Sequence, residues 1–206
     1  MATRPAPVLA LACFTVADGA LAVLTVDGAD RRRATLPTTA VPTTGTLEQA
    51  GDQLARTAVG RVPVWRAQAG ALMQEGLVLV VAAVVPAGTE APAGSRWVAL
   101  DRAPAAPGAA IQAGITMLRD RLDREPVAFR LLPPTFTLSE LQEVYELLLE
   151  RRLHKASFRR TLLAAHLVEP TEAWRSEGRG RPAQLFRYSP RRRRGVQRSV
   201  RFELMG

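Results

Sequence analysis

Leu77–Val85 is a run of nine consecutive apolar residues, rich in valine and bounded by Gly76 and by Pro86-Ala87-Gly88. It is far shorter than the ~20 residues that a membrane-spanning helix needs. β-Branched residues between turn signals point instead to a strand buried inside a sheet. Val8–Val16 and Ala20–Val26, joined by the turn Ala17-Asp18-Gly19, read as two further strands, and Trp97–Leu100 as a short one. Thr46-Leu47-Glu48-Gln49 is a capping box, in which Thr46 caps a helix and Gln49 reaches back to it. The helix that follows places Leu47, Ala50, Leu54, Ala55 and Ala58 on one face, and Gly60 stops it. A second helix runs from Ala109 to about Arg124, with Ile111, Ile115, Leu118 and Leu122 as its apolar stripe. Strands and helices mixed in this way predict an α/β body over residues 1–125.

The N-terminus carries Arg4 and an apolar stretch to Cys13, a faint echo of a lipoprotein leader. The stretch is short and continues through Phe14, Thr15 and Val16, so a strand is the better reading. No segment is apolar enough for a membrane span, and no membrane association is expected. Cys13 is the single cysteine in 206 residues, which leaves no intramolecular disulfide and fits a reducing, cytoplasmic setting.

Glu125-Pro126 and Leu132-Pro133-Pro134 break the helical pattern, and the domain boundary is placed there, with residues 126–206 forming a second domain. Charge separates the two parts of the chain. Residues 151–206 hold 15 Arg and Lys against four acids, a net +11, whereas residues 1–150 hold 13 basic and 15 acidic groups, a net −2. Basic excess confined to one quarter of a chain argues for a polyanionic partner of that quarter.

The order of elements there is specific. Thr137-Leu138-Ser139-Glu140 is a second capping box, opening a helix to about Glu150 with Leu138, Leu141, Val144, Tyr145 and Leu148 inward. Arg151-Arg152-Leu153 is short enough to be the turn of a helix-turn-helix. The next helix, about His154 to Ala165, buries Phe158, Leu162 and Ala165 and leaves Lys155, Ser157, Arg159 and Arg160 for its outer face. Leu167–Pro170 leaves that helix, Ala173–Arg181 reads as a polar hairpin tip, and Ala183–Ser189 as the returning strand. Two helices followed by a hairpin make a winged helix-turn-helix. Such a helix lies in the major groove, and the tip, Gly178-Arg179-Gly180-Arg181-Pro182, has the slim cationic composition suited to a narrow minor groove. The DNA-binding candidates are therefore Lys155, Ser157, Arg159, Arg160, Arg179 and Arg181. Arg159 and Arg160 have Glu150 and Glu146 as alternative ion-pair partners, and Arg191–Arg194 reads equally as a phosphate-touching strap or as solvated charge. His154 and His166 have no second ligand at metal spacing, so no metal is expected.

At this point the sequence resembles the Nudix-related transcriptional regulators of bacterial NAD metabolism, the NrtR-like family, in which a Nudix-like body precedes a C-terminal winged helix. The resemblance rests on Val127–Pro133, Phe136–Glu146, Phe158-Arg159-Arg160, Gly180-Arg181-Pro182-Ala183 and Leu185-Phe186-Arg187, in family order. It implies a Nudix-like α/β/α sandwich ahead of the winged helix. It also implies a regulator, a repressor by expectation, that binds a palindromic operator as a homodimer and senses ADP-ribose or a related nucleotide. The frame of a Nudix motif survives at Leu36-Pro37, Val41, Leu47-Glu48, Ala50 and Gly60. Where that motif has a Gly pair, an Arg-Glu and a Glu-Glu, this chain has Thr38-Thr39, Gln53-Leu54 and Thr57-Ala58. Those carboxylates hold the Mg²⁺ used in diphosphate hydrolysis, so neither cofactor nor hydrolase activity is expected. Arg31, Arg33 and Trp65 are the candidates to meet a phosphorylated effector, against a reading as surface charge and a core tryptophan.

Two other functions compete with DNA binding. A nucleotide-binding or hydrolytic Nudix protein with a basic appendage would need the missing glutamates. An RNA-binding module would need exposed aromatics for stacking, and only Trp174, near the wing, offers itself.

Overall fold

The computed structural model describes residues 5–27, 34–105, 107–176 and 182–189. The chain forms two compact units, residues 1–120 and 121–206.

In the first unit, β1 (Val8–Ala17) lies at the centre of a mixed sheet. On one edge it pairs antiparallel with β2 (Ala20–Asp27) and, nearer its start, with β4 (Thr38–Ala40). The short β3 (Ala34–Thr35) pairs antiparallel with the end of β2, at Val26 and Asp27. Helix α1 (Leu47–Val59) is followed by β5 (Trp65–Met73) and β6 (Leu77–Val84). β6 is the strand expected from the apolar run, and it pairs parallel to β1 from Val8↔Val78 to Phe14↔Val84. β5 pairs antiparallel with β6 and carries a bulge near Gln68. β7 (Ser95–Ala99) pairs with β2 and leads into a single 3₁₀ turn, Leu100–Arg102.

The two faces of β1 are covered by different helices. Leu9, Leu11 and Cys13 join Leu54, Ala55 and Val59 of α1 in one core cluster. On the opposite pleat, Ala12 and Phe14 meet Gly114 of α2 (Gly108–Arg121). Successive strand residues point to opposite faces, so this alternation makes an α/β/α sandwich. At Gly114 a Cβ would come within 2.9 Å of both Ala12 and Phe14, so the helix approaches the sheet closely enough that only glycine fits. Local chemistry sets the ends of α1. Thr46 Oγ1 accepts from the Gln49 amide at 3.2 Å, Gln49 Oε1 accepts from the Thr46 amide at 3.1 Å, and Gly60 closes the helix at φ 75°.

The second unit starts with a short helix, α3 (Val127–Arg130), and a two-residue strand, β8 (Thr135–Phe136). Helix α4 (Leu138–Leu149), the turn at 150–154 and helix α5 (Lys155–Ala164) follow. β9 (Val168–Arg175) and β10 (Ala183–Tyr188) form an antiparallel hairpin, and β8 adds to the outer side of β10. Aromatic contacts run through a core otherwise made mostly of Leu and Val. Tyr145 and Phe158 meet edge-on at 5.5 Å between ring centres, and Phe129 packs against Phe136 and Tyr188 at 5.9 and 4.5 Å.

Three sequence expectations are corrected. Residues 65–73 were given no element and form a nine-residue strand. The segment expected to be hairpin tip from Ala173 is still β9 as far as Arg175. Residues 127–130, to which the sequence assigns no element between the breaks at Glu125-Pro126 and Leu132–Pro134, make a helical turn whose Val127, Ala128 and Phe129 are buried.

Candidate nucleic-acid interface

The second unit places α5 on a rigid base. Thr137 accepts from the Glu140 amide at 3.1 Å while Glu140 accepts from the Thr137 amide at 2.6 Å, so the capping box starts α4 where the sequence predicts. Glu140 also accepts from Arg175 of β9 at 2.5 Å, fastening the hairpin to the first turn of α4. At the other end, Glu146 organises the turn. It accepts from the Leu153 amide at 2.9 Å, from Gln142 Nε2 at 2.9 Å and from Arg152 Nη1 at 2.8 Å. These donors, Gln142 foremost, hold the Glu146 carboxyl below its ordinary range. Gln142 also donates to the Leu153 carbonyl at 3.0 Å. The entry angle of α5 is thus set by side chains of α4. His154 caps α5 and receives the Ser157 amide at Nδ1, 3.4 Å away.

Orientation around α5 follows from about 100° of rotation per residue. Phe158 and Leu162 are buried and define the inward side. Arg160 falls roughly opposite, flanked by Ala156, Leu163 and Ala164, and all four are exposed. Lys155 is exposed at the first turn. Arg159 and Ser157 lie on the flanks and are half-buried. Arg159 Nη2 donates to Ser139 Oγ on α4 at 3.3 Å, and its Nε is buried without a hydrogen-bond partner. Of the expected set, then, Arg160 lies on the open face, Lys155 is exposed at the first turn about 140° around the helix from Arg160, and Ser157 and Arg159 sit beside the helix's own supports. Arg179, Arg181 and the Arg191–Arg194 run lie outside the described residues. Glu146, one of the two acids weighed as partners for Arg159 and Arg160, pairs with Arg152.

Sequence reasoning passed over Leu163, which is 47% exposed on this face. The signal was available: it is three residues from Arg160 and off the Phe158–Leu162 stripe. Trp174 on β9 is 58% exposed, as its role as the one stacking candidate would require.

The first unit holds a cavity of about 470 Å³ between the start of α1 and strands β5 and β6, lined among others by Thr46, Glu48, Arg66, Gln68 and Val81. Asp52 on α1 is paired with Arg66 on β5, Nε to Oδ1 at 2.8 Å. Arg66 and Gln68 belong to the strand that sequence reasoning did not find. Trp65, one of the three effector candidates, is 8% exposed in the core, and Arg31 and Arg33 lie outside the described residues. The donors do not suit the Mg²⁺ of a Nudix motif. Glu48 and Asp52 are the only acids on α1, Asp52 is neutralised by Arg66, and Leu54 and Ala58 pack into the core where carboxylates would be needed. Among the described residues no group of three or more His, Cys, Asp or Glu could hold a metal, and no helix is long and apolar enough to cross a membrane.

Comparison with known proteins agrees with this architecture. Residues 128–188 match the model of the NrtR DNA-binding winged helix domain. The ADPR responsive transcriptional repressor NtrR of Acinetobacter baylyi is 37% identical over 79 residues, which are 38% of this chain and 31% of that protein. The chain thus matches about a third of that curated relative's length. The crystal structure of Shewanella oneidensis NrtR complexed with a 27mer DNA aligns with a TM-score of 0.74 at 24% identity, over 89% of this chain and 93% of that one. A MutT/nudix family protein from Enterococcus faecalis aligns with a TM-score of 0.66 at 14% identity, over 92% and 90%. The fold is therefore like that of the NrtR structure, a Nudix-like body followed by a winged helix, and the winged helix matches the NrtR DNA-binding winged helix domain over residues 128–188.

Proposed function

We propose that this chain is a DNA-binding transcriptional regulator, a repressor, whose Nudix-like body senses a nucleotide and has lost hydrolysis. The carrying observation is α5, whose outer face exposes Arg160 and whose first turn exposes Lys155, on a helix packed against α4 through Tyr145 and Phe158, with α4 in turn tied to β9 by Arg175. Recognition helices enter the major groove with such a face. The chain acts as a homodimer on a roughly palindromic operator, one winged helix to each half-site. Arg160 leads the contacts, and Lys155 meets phosphate. Arg159 and Ser157 contribute from the flanks, and Arg179 and Arg181 from the wing tip.

The effector site is the cavity between α1, β5 and β6, whose volume falls within the range of small-molecule sites. The A. baylyi relative is named as ADPR responsive, so ADP-ribose is the first ligand to test. Binding needs no metal, because the carboxylates that would hold one are missing from α1.

The test is selection of duplexes from a random pool by the full-length chain, followed by gel shifts of the selected duplex across a salt series with and without ADP-ribose. A selected palindrome and affinity that falls steeply with salt are expected. Failure to enrich any sequence, or Mg²⁺-dependent hydrolysis of ADP-ribose at enzyme-like rates, contradicts the reading.

A further inference from the structure

A lone exposed leucine is ordinary on most surfaces. Leu163 differs by its position. It lies on the outward face of α5, among Ala156, Arg160 and Ala164, away from the Phe158–Leu162 contacts that anchor the helix. Around Arg160 this face is made of small or aliphatic side chains. It lacks the Asn and Gln that read adenine and the acids that read cytosine. The cation beside it, Arg160, matches a phosphate-rich partner. The base feature that an aliphatic side chain can recognise in the major groove is the 5-methyl group of thymine.

We propose that Leu163 is a specificity-determining residue that packs on the methyl group of a thymine in the major groove. This rests on the DNA-binding reading above. Three residues of helix separate Leu163 from Arg160, about 4.5 Å along the axis. Base pairs on one strand are about 3.4 Å apart. The thymine therefore lies one or two base pairs from the base engaged by Arg160, which by its fork geometry is a guanine. Each half-site contains a G and a T at that spacing.

The experiment uses the full-length chain and a duplex that it selects from a random pool. Each thymine is replaced in turn by deoxyuridine, which removes the methyl group and leaves the pairing edge intact. Wild type should lose about fourfold in affinity at one thymine per half-site, the value of one buried methyl group, and be indifferent elsewhere. Leu163→Ala should bind the thymine and deoxyuridine duplexes equally at that position. Leu163 is exposed, so the variant should keep its fold, checked by an unchanged melting temperature. Sequence-specific binding that ignores every deoxyuridine, or Leu163→Ala that remains as sensitive as wild type, overturns this assignment and leaves DNA binding standing. Absence of duplex binding by wild type overturns both.

Discussion

At the scale of single residues, two buried or half-buried groups make clear predictions. Glu146 serves a backbone amide, an amide side chain and a guanidinium at once. Glu146→Ala leaves the Leu153 amide without its acceptor and should cost about 1–3 kcal/mol of stability in chemical denaturation, with DNA affinity falling as the α4–α5 turn loosens. Glu146→Gln should cost less near neutral pH. Because the folded carboxyl titrates below the ordinary 4.5, wild type holds its advantage over Glu146→Gln above that pH. The advantage shrinks as pH falls through the folded pKa. An advantage that grew on acidification would be inconsistent with this hydrogen-bond set. Cys13 is fully buried, and burial pushes its thiol up to about 12. Since the thiolate is the reactive form, the native chain should resist iodoacetamide at pH 8 and react on unfolding in urea, as mass spectrometry would report.

Element by element, the ends and the faces of the helices carry the argument. Thr137→Ala removes one half of the capping box at α4 and should lower stability by about 1 kcal/mol. Glu140→Ala removes its other half together with the Arg175 link, so it should also loosen the hairpin. Gly114→Ala drives a Cβ into Ala12 and Phe14 and should cost about 1–3 kcal/mol. A variant as stable as wild type would mean that α2 sits further from the sheet. Both capping boxes, α1, α4, α5 and the β1, β2 and β6 strands were legible in the sequence because local chemistry dictates them. β5 was not: Trp65–Met73 mixes Arg, Gln, Ala and Gly with no clean alternation, and it becomes a strand through its pairing with β6. β9 is cut short in the sequence because Ala173–Arg181 is polar and contains glycine, and so reads as a hairpin tip. Trp174 and Arg175 pair with Gln184 and Ala183 of β10, and across the irregularity between Gln184 and Phe186 Thr171 Oγ1 donates to the Leu185 carbonyl at 2.9 Å. For the candidate site, composition indicated the cations of α5 but not their rank. Arg159 and Arg160 are adjacent in sequence and lie about 100° apart around the helix, and only the packing of α4 shows that Arg159 is the one tied back to Ser139.

For the whole molecule, a basic winged-helix unit is joined to a Nudix-like body without the motif's metal carboxylates. Polyanion binding alone would give a steep salt dependence, roughly −0.9 in log–log slope for each phosphate neutralised, whatever the sequence of the duplex. Regulation requires more, namely discrimination by a specific face of α5. The most direct measurement is fluorescence anisotropy of the full-length chain and of Arg160→Ala, each against a selected duplex and a scrambled one at fixed salt. Arg160→Ala should lose about 1–3 kcal/mol on the selected duplex and much less on the scrambled one, narrowing the ratio between them. Equal losses on both duplexes, or no loss on either, would contradict a base-reading role for α5.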